Sequence, residues 1–240
     1  MTIQQAVAEL QKLGTDQNRK VYRRHGVVGK LYGVSFANLK KLKKLIKTDH
    51  ELARRLWTTG NHDARVLATM AADPAETTAA LLDSWKEGLD NYIVTDAFAK
   101  FVAATPLARK SAECWTQSKK EWIGRAGWML LTHLALHDAA LAGEYFKPYL
   151  ETIERRIHSS PNRTRDAMNS ALIAIALRSP ELERKGIAAA RRIGEVEVDH
   201  GETSCITYDA ESYILKVRSR RKQKRRGQAS RKRNNSSGKR

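Results

Sequence analysis

Hydrophobic residues recur at three- and four-residue spacing along most of this chain, which predicts one amphipathic helix after another. Residues 2–13 place Ile3, Val7, Leu10 and Leu13 on one stripe. Residues 17–32 carry Val21, Tyr22, His25 and Val28, with Gly26, Gly29 and Gly33 loosening the end. Ser35 is suited to cap a helix with Phe36, Leu39, Leu42 and Ile46 inside and Lys40, Lys41, Lys43, Lys44 and Lys47 outside. Asp49 caps the next, through Leu52, Leu56 and Trp57. Asn61 caps another, with Val66, Leu67 and Met70 facing inward. A further helix opens near Asp90 or Asn91, with Ile93, Val94, Ala97 and Phe101 as its apolar face.

Proline sharpens the punctuation. Four of the five prolines follow a capping residue, in Asp73-Pro74, Thr105-Pro106, Ser160-Pro161 and Ser179-Pro180. Proline fits the first helical turn, where its missing N–H would be unpaired anyway. Glu76 stands three residues after Asp73, as a capping box requires. These pairs predict helices at about 74–87, 106–116, 161–177 and 180–193, with more helical periodicity at 119–137 and 144–157. Residues 194–207 read as a polar loop, and Thr207 caps a last helix through Tyr213, Ile214 and Val217. No strand alternation and no hairpin dipeptide interrupts the series. The expected fold is all-α, an α-solenoid of degenerate HEAT-like helical pairs with a basic concave face.

Charge divides the chain unevenly. The net charge is +18, yet from Lys216 onward there are 13 basic residues and no acidic one, leaving 31 basic against 26 acidic upstream, a net of +5. A domain over 1–217 followed by a disordered basic tail over 218–240 is expected. Such a tail calls for a polyanion, nucleic acid first and an anionic membrane second. Cys114 and Cys205 lie far apart without CxxC spacing, which fits a reducing cytosol. The N-terminal stretch lacks the apolar run of a signal peptide, so a soluble, cytoplasmic protein is expected.

Candidate chemistry is sparse. Tyr92 and Asp96 sit four apart on one helix face, an aromatic ring beside a carboxylate, and both groups favour a cationic ligand. The same spacing also suits a solvated carboxylate and a half-buried ring. Arg125, in the apolar run Trp122-Ile123-Gly124-Arg125-Ala126-Gly127-Trp128, needs a partner: a structural carboxylate, Trp122 or a bound phosphate. His133 and His137 have the spacing of a helical metal pair, but the HExxH glutamate is missing and no third ligand is apparent. Asp199-His200-Gly201-Glu202-Thr203-Ser204-Cys205 reads as a hydrogen-bonded loop that orders the last helix. No phosphate-binding glycine motif occurs.

Together these segments resemble the DNA alkylation repair family of HEAT-like-repeat DNA glycosylases, the AlkD-like proteins, over roughly residues 15–217. The carriers are Tyr32-Gly33-Val34-Ser35 with Leu39 and Leu42, and Leu56 through Arg65. Asp90-Asn91-Tyr92 through Asp96, Trp122-Ile123-Gly124-Arg125-Ala126 and Val198 through Cys205 complete the set. The resemblance implies an α-solenoid gripping duplex DNA and hydrolysis of the N-glycosidic bond of alkylated purines such as 3-methyladenine and 7-methylguanine. It places the catalytic aspartate on Asp96 and a DNA-contacting arginine on Arg125. Two positions depart from the pattern. Active members carry a tryptophan where this chain has Tyr92, and no aromatic stands near Ser170. Both departures bear on catalysis more than on DNA binding.

The mechanism this implies needs no metal and no cofactor. Asp96 steadies an oxocarbenium-like sugar and orients water, with Tyr92 against the deoxyribose. Arg125 holds a phosphate near the lesion. Lys40, Lys41, Lys43 and Lys44, with Arg220, Arg221 and Lys222 of the tail, add affinity independent of base sequence. A monomer on duplex DNA, nucleoid-associated when bound, is the expected working form. Two rival readings are a catalytically weak member that binds damaged or branched DNA, and a helical-repeat scaffold whose tail engages nucleic acid.

Overall fold

Short polar side chains start most of the helices. In the computed structural model, which describes the backbone of residues 1–237 and the side chains of residues 1–223, thirteen α-helices and two 3-10 turns follow one another. They are α1 (Ile3–Leu13), α2 (Asp16–Arg24), α3 (Phe36–Ile46), α4 (His50–Thr58) and α5 (His62–Ala71). After these come α6 (Ala79–Lys86), α7 (Tyr92–Val102), α8 (Ala108–Trp115) and α9 (Glu121–His137). The last are α10 (Lys147–Arg156), α11 (Asn162–Ala176), α12 (Pro180–Ile193) and α13 (Ala210–Ser237). The Thr2, Ser35, Asp49 and Asn61 side chains each accept a backbone N–H of the helix they precede. Among the described residues the only β pairing is one bridge between Gly14 and Val34.

The proline pairs mark helix starts unequally. Ser179 accepts from the Leu182 N–H with Pro180 as first helical residue, as the sequence predicts. At Asp73-Pro74 the chain makes a tight turn, with Asp73 accepting from the Ala75 N–H, and α6 begins only after Thr78, which accepts from Leu81. The expected capping box with Glu76 is therefore absent. Thr105 likewise turns the chain onto Leu107 before α8 starts. An Asx or Thr turn offers the backbone the same hydrogen bond as a cap, here several residues before the helix begins.

Alternate helices form two rows. Helices α3, α5, α7, α9 and α11 pack successively against one another as an inner row, and α13 lies beside α11 at its end. On the outside α4 backs α5, α8 backs α9 and α12 backs α11, giving the expected solenoid of helical pairs. Between the rows runs a string of buried rings. Trp57 of α4 stacks on Trp85 of α6 at 4.4 Å between ring centres, and Phe98 of α7 stacks on Trp115 of α8 at 5.4 Å. Gly127 lets α8 and α9 touch, because a side-chain carbon there would lie 2.5 Å from the Thr116 nitrogen. Asp63, fully buried, accepts the backbone N–H groups of Tyr32, Gly33 and Val34 and so ties the start of α3 to α5.

Two boundaries differ from the sequence pattern. Asp209, not Thr207, caps α13 by accepting from Ser212, and Thr207 instead meets the His200 ring. Val217 is the last large apolar residue and the point where the pattern stops the helix, but the described backbone stays helical to Ser237. Arg218 bonds Glu183, and Arg221 donates to the Leu177 carbonyl, anchoring the first turns of this extension to α12 and the end of α11. The disordered tail expected over 218–240 falls in part on residues outside those described: side chains from 224 and backbone from 238. Among the described residues no helix is long and apolar enough to cross a membrane.

Candidate functional site

The first residues of α7, α9 and α11 meet at one end of the inner row. Asn91 caps α7 by accepting from Ile93 and Val94 at 3.1 Å, which sets Tyr92 and Asp96 one turn apart. The helix then shows two faces. Val94, Phe98, Phe101 and Val102 are buried in the core, whereas Ile93 and Ala97, expected inside, join Asp96 and Lys100 along an open trough. Helix α11 has no side-chain cap of its own. Glu121 of α9 supplies it, accepting the Arg163 N–H at 2.7 Å, while Thr164 donates to the Glu121 carbonyl at 2.8 Å. That borrowed cap holds Arg163 and Asp166 next to Arg125.

Arg125 is the centre of the cluster. Its Nε and Nη2 donate to the two oxygens of Asp96, each at 2.8 Å, and Nη1 donates to Asp166 at 2.8 Å and to the Arg163 carbonyl at 2.9 Å. The Arg125 side chain is 5% exposed, against 30% for Asp96. A planar guanidinium bonding a carboxylate through two parallel N–H groups is a strong, geometrically specific pairing. Burial pushes the Asp96 carboxyl above the usual carboxylate range, even though Arg125 pulls it down. Burial opposes the Arg125 charge too, but Asp96 and Asp166 together hold it above an ordinary arginine. Of the partners the sequence left open for Arg125, the structure shows structural carboxylates: four of its five N–H donors go to two carboxylates and a carbonyl.

Tyr92 lies between cations. The Arg125 and Arg163 guanidinium carbons stand 5.3 and 5.1 Å from its ring centre, within cation–π range. Its hydroxyl meets His25 Nδ1, and Cys205 lies against it. Burial, with Cys205 beside it, pushes the Tyr92 hydroxyl up to about 12. Burial, with Arg24 and Arg163, lowers His25 and favours the neutral ring that accepts this hydroxyl. Over these groups runs the 195–209 loop. Asp199 and Asn162 exchange backbone and side-chain bonds, Arg165 donates to the Glu197 carbonyl, and Arg163 meets His200 at 3.1 Å.

The trough encloses about 1020 Å³. Phe36, Lys40 and Lys43 of α3 line it, with Met70 of α5, Tyr92, Ile93, Asp96 and Lys100 of α7, and Met129 and His133 of α9. Among the described residues no carboxylate pairs with Lys40, Lys43 or Lys100, so the trough is cationic, while beside it Arg125 pairs with both Asp96 and Asp166. Of the residues singled out in the sequence, Tyr92, Asp96, Lys40 and Lys43 come together here. Lys41 and Lys44 point to solvent elsewhere on α3, and Arg220, Arg221 and Lys222 are exposed on α13, outside the trough. The sequence reading missed Lys100, Asp166 and the bond from His25 to Tyr92. Lys100 alone left a signal, one turn beyond Asp96; Asp166 and His25 are far from their partners in the chain.

Comparison with known proteins adds three findings. A family model described as DNA alkylation repair enzyme matches residues 6–203. Two proteins are similar along nearly their whole lengths: uncharacterized protein Lin0241 of Listeria innocua and uncharacterized protein Lmo0209 of Listeria monocytogenes. The first is 32% identical over 228 residues, 92% of this chain and 99% of its own; the second is 31% identical over 233 residues, 92% and 100%. A solved structure described as "a new family of proteins related to the HEAT-like repeat DNA glycosylases with affinity for branched DNA structures" superposes with a TM-score of 0.85. The two share 30% identity over 92% of this chain and 95% of that one.

Proposed function

The chain belongs to the DNA alkylation repair enzyme family, and from that membership we propose that it binds damaged or branched DNA in the trough without releasing bases. The observation that carries this reading is the double hydrogen bond from buried Arg125 to Asp96. A carboxylate that steadies an oxocarbenium-like sugar must offer negative charge the protein has left unbalanced. Here that charge is matched, and the Tyr92 ring already faces two guanidinium groups. Lys40, Lys43 and Lys100 supply the phosphate contacts, and the exposed cations of α13 add affinity that weakens with salt. The similar solved protein with affinity for branched DNA supports the same choice of partner.

A second reading is favoured by one observation: Asp96 keeps 30% of its side chain open to the trough. In that reading the protein is a DNA N-glycosylase acting on cationic purines such as 3-methyladenine and 7-methylguanine. Asp96 orients water and stabilises the sugar cation while Tyr92 lies against the deoxyribose. Fluorescence anisotropy on linear and branched DNA, run beside a base-release assay on methylated duplex, separates the two. Salt-sensitive binding without base release is the expected result. Base release that disappears in Asp96→Asn with binding retained would establish the second reading instead.

A further inference from the structure

The trough floor does not match what a continuous duplex presents. Phosphates and sugars ask for donors, and Lys40, Lys43 and Lys100 provide them, but Phe36, Met70, Ile93 and Met129 make much of the remaining surface apolar. Phe36 opens α3, with Lys40 and Lys43 four and seven residues on, so a ring and two ammonium groups face the same cavity. It is 41% exposed, whereas Phe98, Phe101 and Phe146 are buried, as are Trp57, Trp85, Trp115 and Trp128. In an intact double helix the base faces are stacked away, and the apolar floor would gain nothing from them. Where the helix is interrupted, a base face is uncovered, with phosphates on either side of it.

We infer that Phe36 stacks on the base face exposed at a branch point, while Lys40 and Lys43 hold the flanking phosphates. Phe36 is thereby the residue that selects interrupted over continuous DNA. Stacking on an aromatic side chain tolerates any base, because every base has a π-face. The cavity of about 1020 Å³ has room for a nucleobase beside the ring. This inference rests on the trough being the DNA site.

The test uses the full chain with a four-way junction, a linear duplex of the same arm sequence, and a junction carrying 2-aminopurine at the branch. The unaltered protein should prefer the junction and change the 2-aminopurine emission on binding. Phe36→Ala should weaken junction binding about tenfold, the scale of a lost base–aromatic stack, and abolish the emission change. Linear-duplex affinity should stay within about twofold, since the phosphate contacts remain. Phe36→Trp should restore both readouts. Retention of the junction preference in Phe36→Ala, or an equal loss on both DNAs, overturns the inference and leaves the trough as the DNA site. Binding of neither DNA by the unaltered chain overturns both.

Discussion

Arg125 of α9 and Asp96 of α7, 29 residues apart in the chain, meet through two parallel N–H···O bonds of equal length, 2.8 Å. The guanidinium is buried and the carboxylate is part open, so the pair sits at the boundary between core and trough. That position gives Asp96 two duties that conflict. It neutralises a buried arginine, and it faces the space where DNA is proposed to lie.

Removing the arginine should therefore be costly. Arg125→Ala leaves Asp96 and Asp166 facing each other without their cation, and a loss of about 3–5 kcal/mol is expected, the usual cost of breaking a buried pair. Asp96→Asn should cost less, because Asp166 and the Arg163 carbonyl still satisfy part of the guanidinium. Urea denaturation of both variants and the double variant measures the coupling directly. Equal, small losses would show that the pair is no more than a surface contact.

Acid should weaken the fold through His133. Burial, with His137 and Lys100 adding to it, lowers this ring from 6.5 to about 4. The folded protein thus holds the ring neutral where the unfolded chain would protonate it. Stability from this group is complete above about pH 6.5 and is lost as pH falls toward 4, at most on the order of 1–3 kcal/mol. Thermal melts of the unaltered chain and of His133→Leu over that range should diverge in slope, with the variant flatter.

Lysines on α3 should not be equivalent on DNA. Lys40→Ala and Lys43→Ala remove cations that line the trough, and each should reduce the salt slope of DNA binding by about one. Lys41→Ala and Lys44→Ala, whose side chains face elsewhere, should leave the slope nearly unchanged. Binding isotherms at several salt concentrations decide the matter. Identical slopes for all four variants would remove the trough as the binding surface.

Asp63→Ala should be among the most damaging single changes. Its carboxylate accepts three backbone N–H groups at 2.6, 3.0 and 2.8 Å in a site closed to water. Each buried donor left without a partner costs about 1–3 kcal/mol, so loss of most of the domain's stability is expected. Denaturation midpoints, or failure to obtain folded protein by circular dichroism, provide the reading.

The helices were legible because they depend on local spacing, whereas which of them share a row is set by packing between helices. Ser35, Asp49, Asn61 and Ser179 each cap where the pattern places them. Asp73 and Thr105 misled for a physical reason: a turn and a cap use the same side-chain acceptor, and only the following backbone angles distinguish them. In the site, Tyr92, Asp96 and Arg125 were each visible as residues needing partners. Their pairings were not, because Arg125 meets Asp166 across 41 positions and Tyr92 meets His25 across 67. Periodicity reports which face a residue occupies, and says nothing of who waits opposite.

A row of stacked helix pairs behaves like a spring, since each pair touches only its neighbours and small rotations accumulate. The 195–209 loop alters that behaviour. It is stitched to α11 through Asn162, Arg165 and Asn169, and it brings Cys205 to Tyr92 and Gly201 beside the Arg24 carbonyl. Late and early repeats are thus strapped together across one end, and the gap between them becomes a calliper of set bore. The width of that gap is thus set by a loop that contributes no helix to the stack.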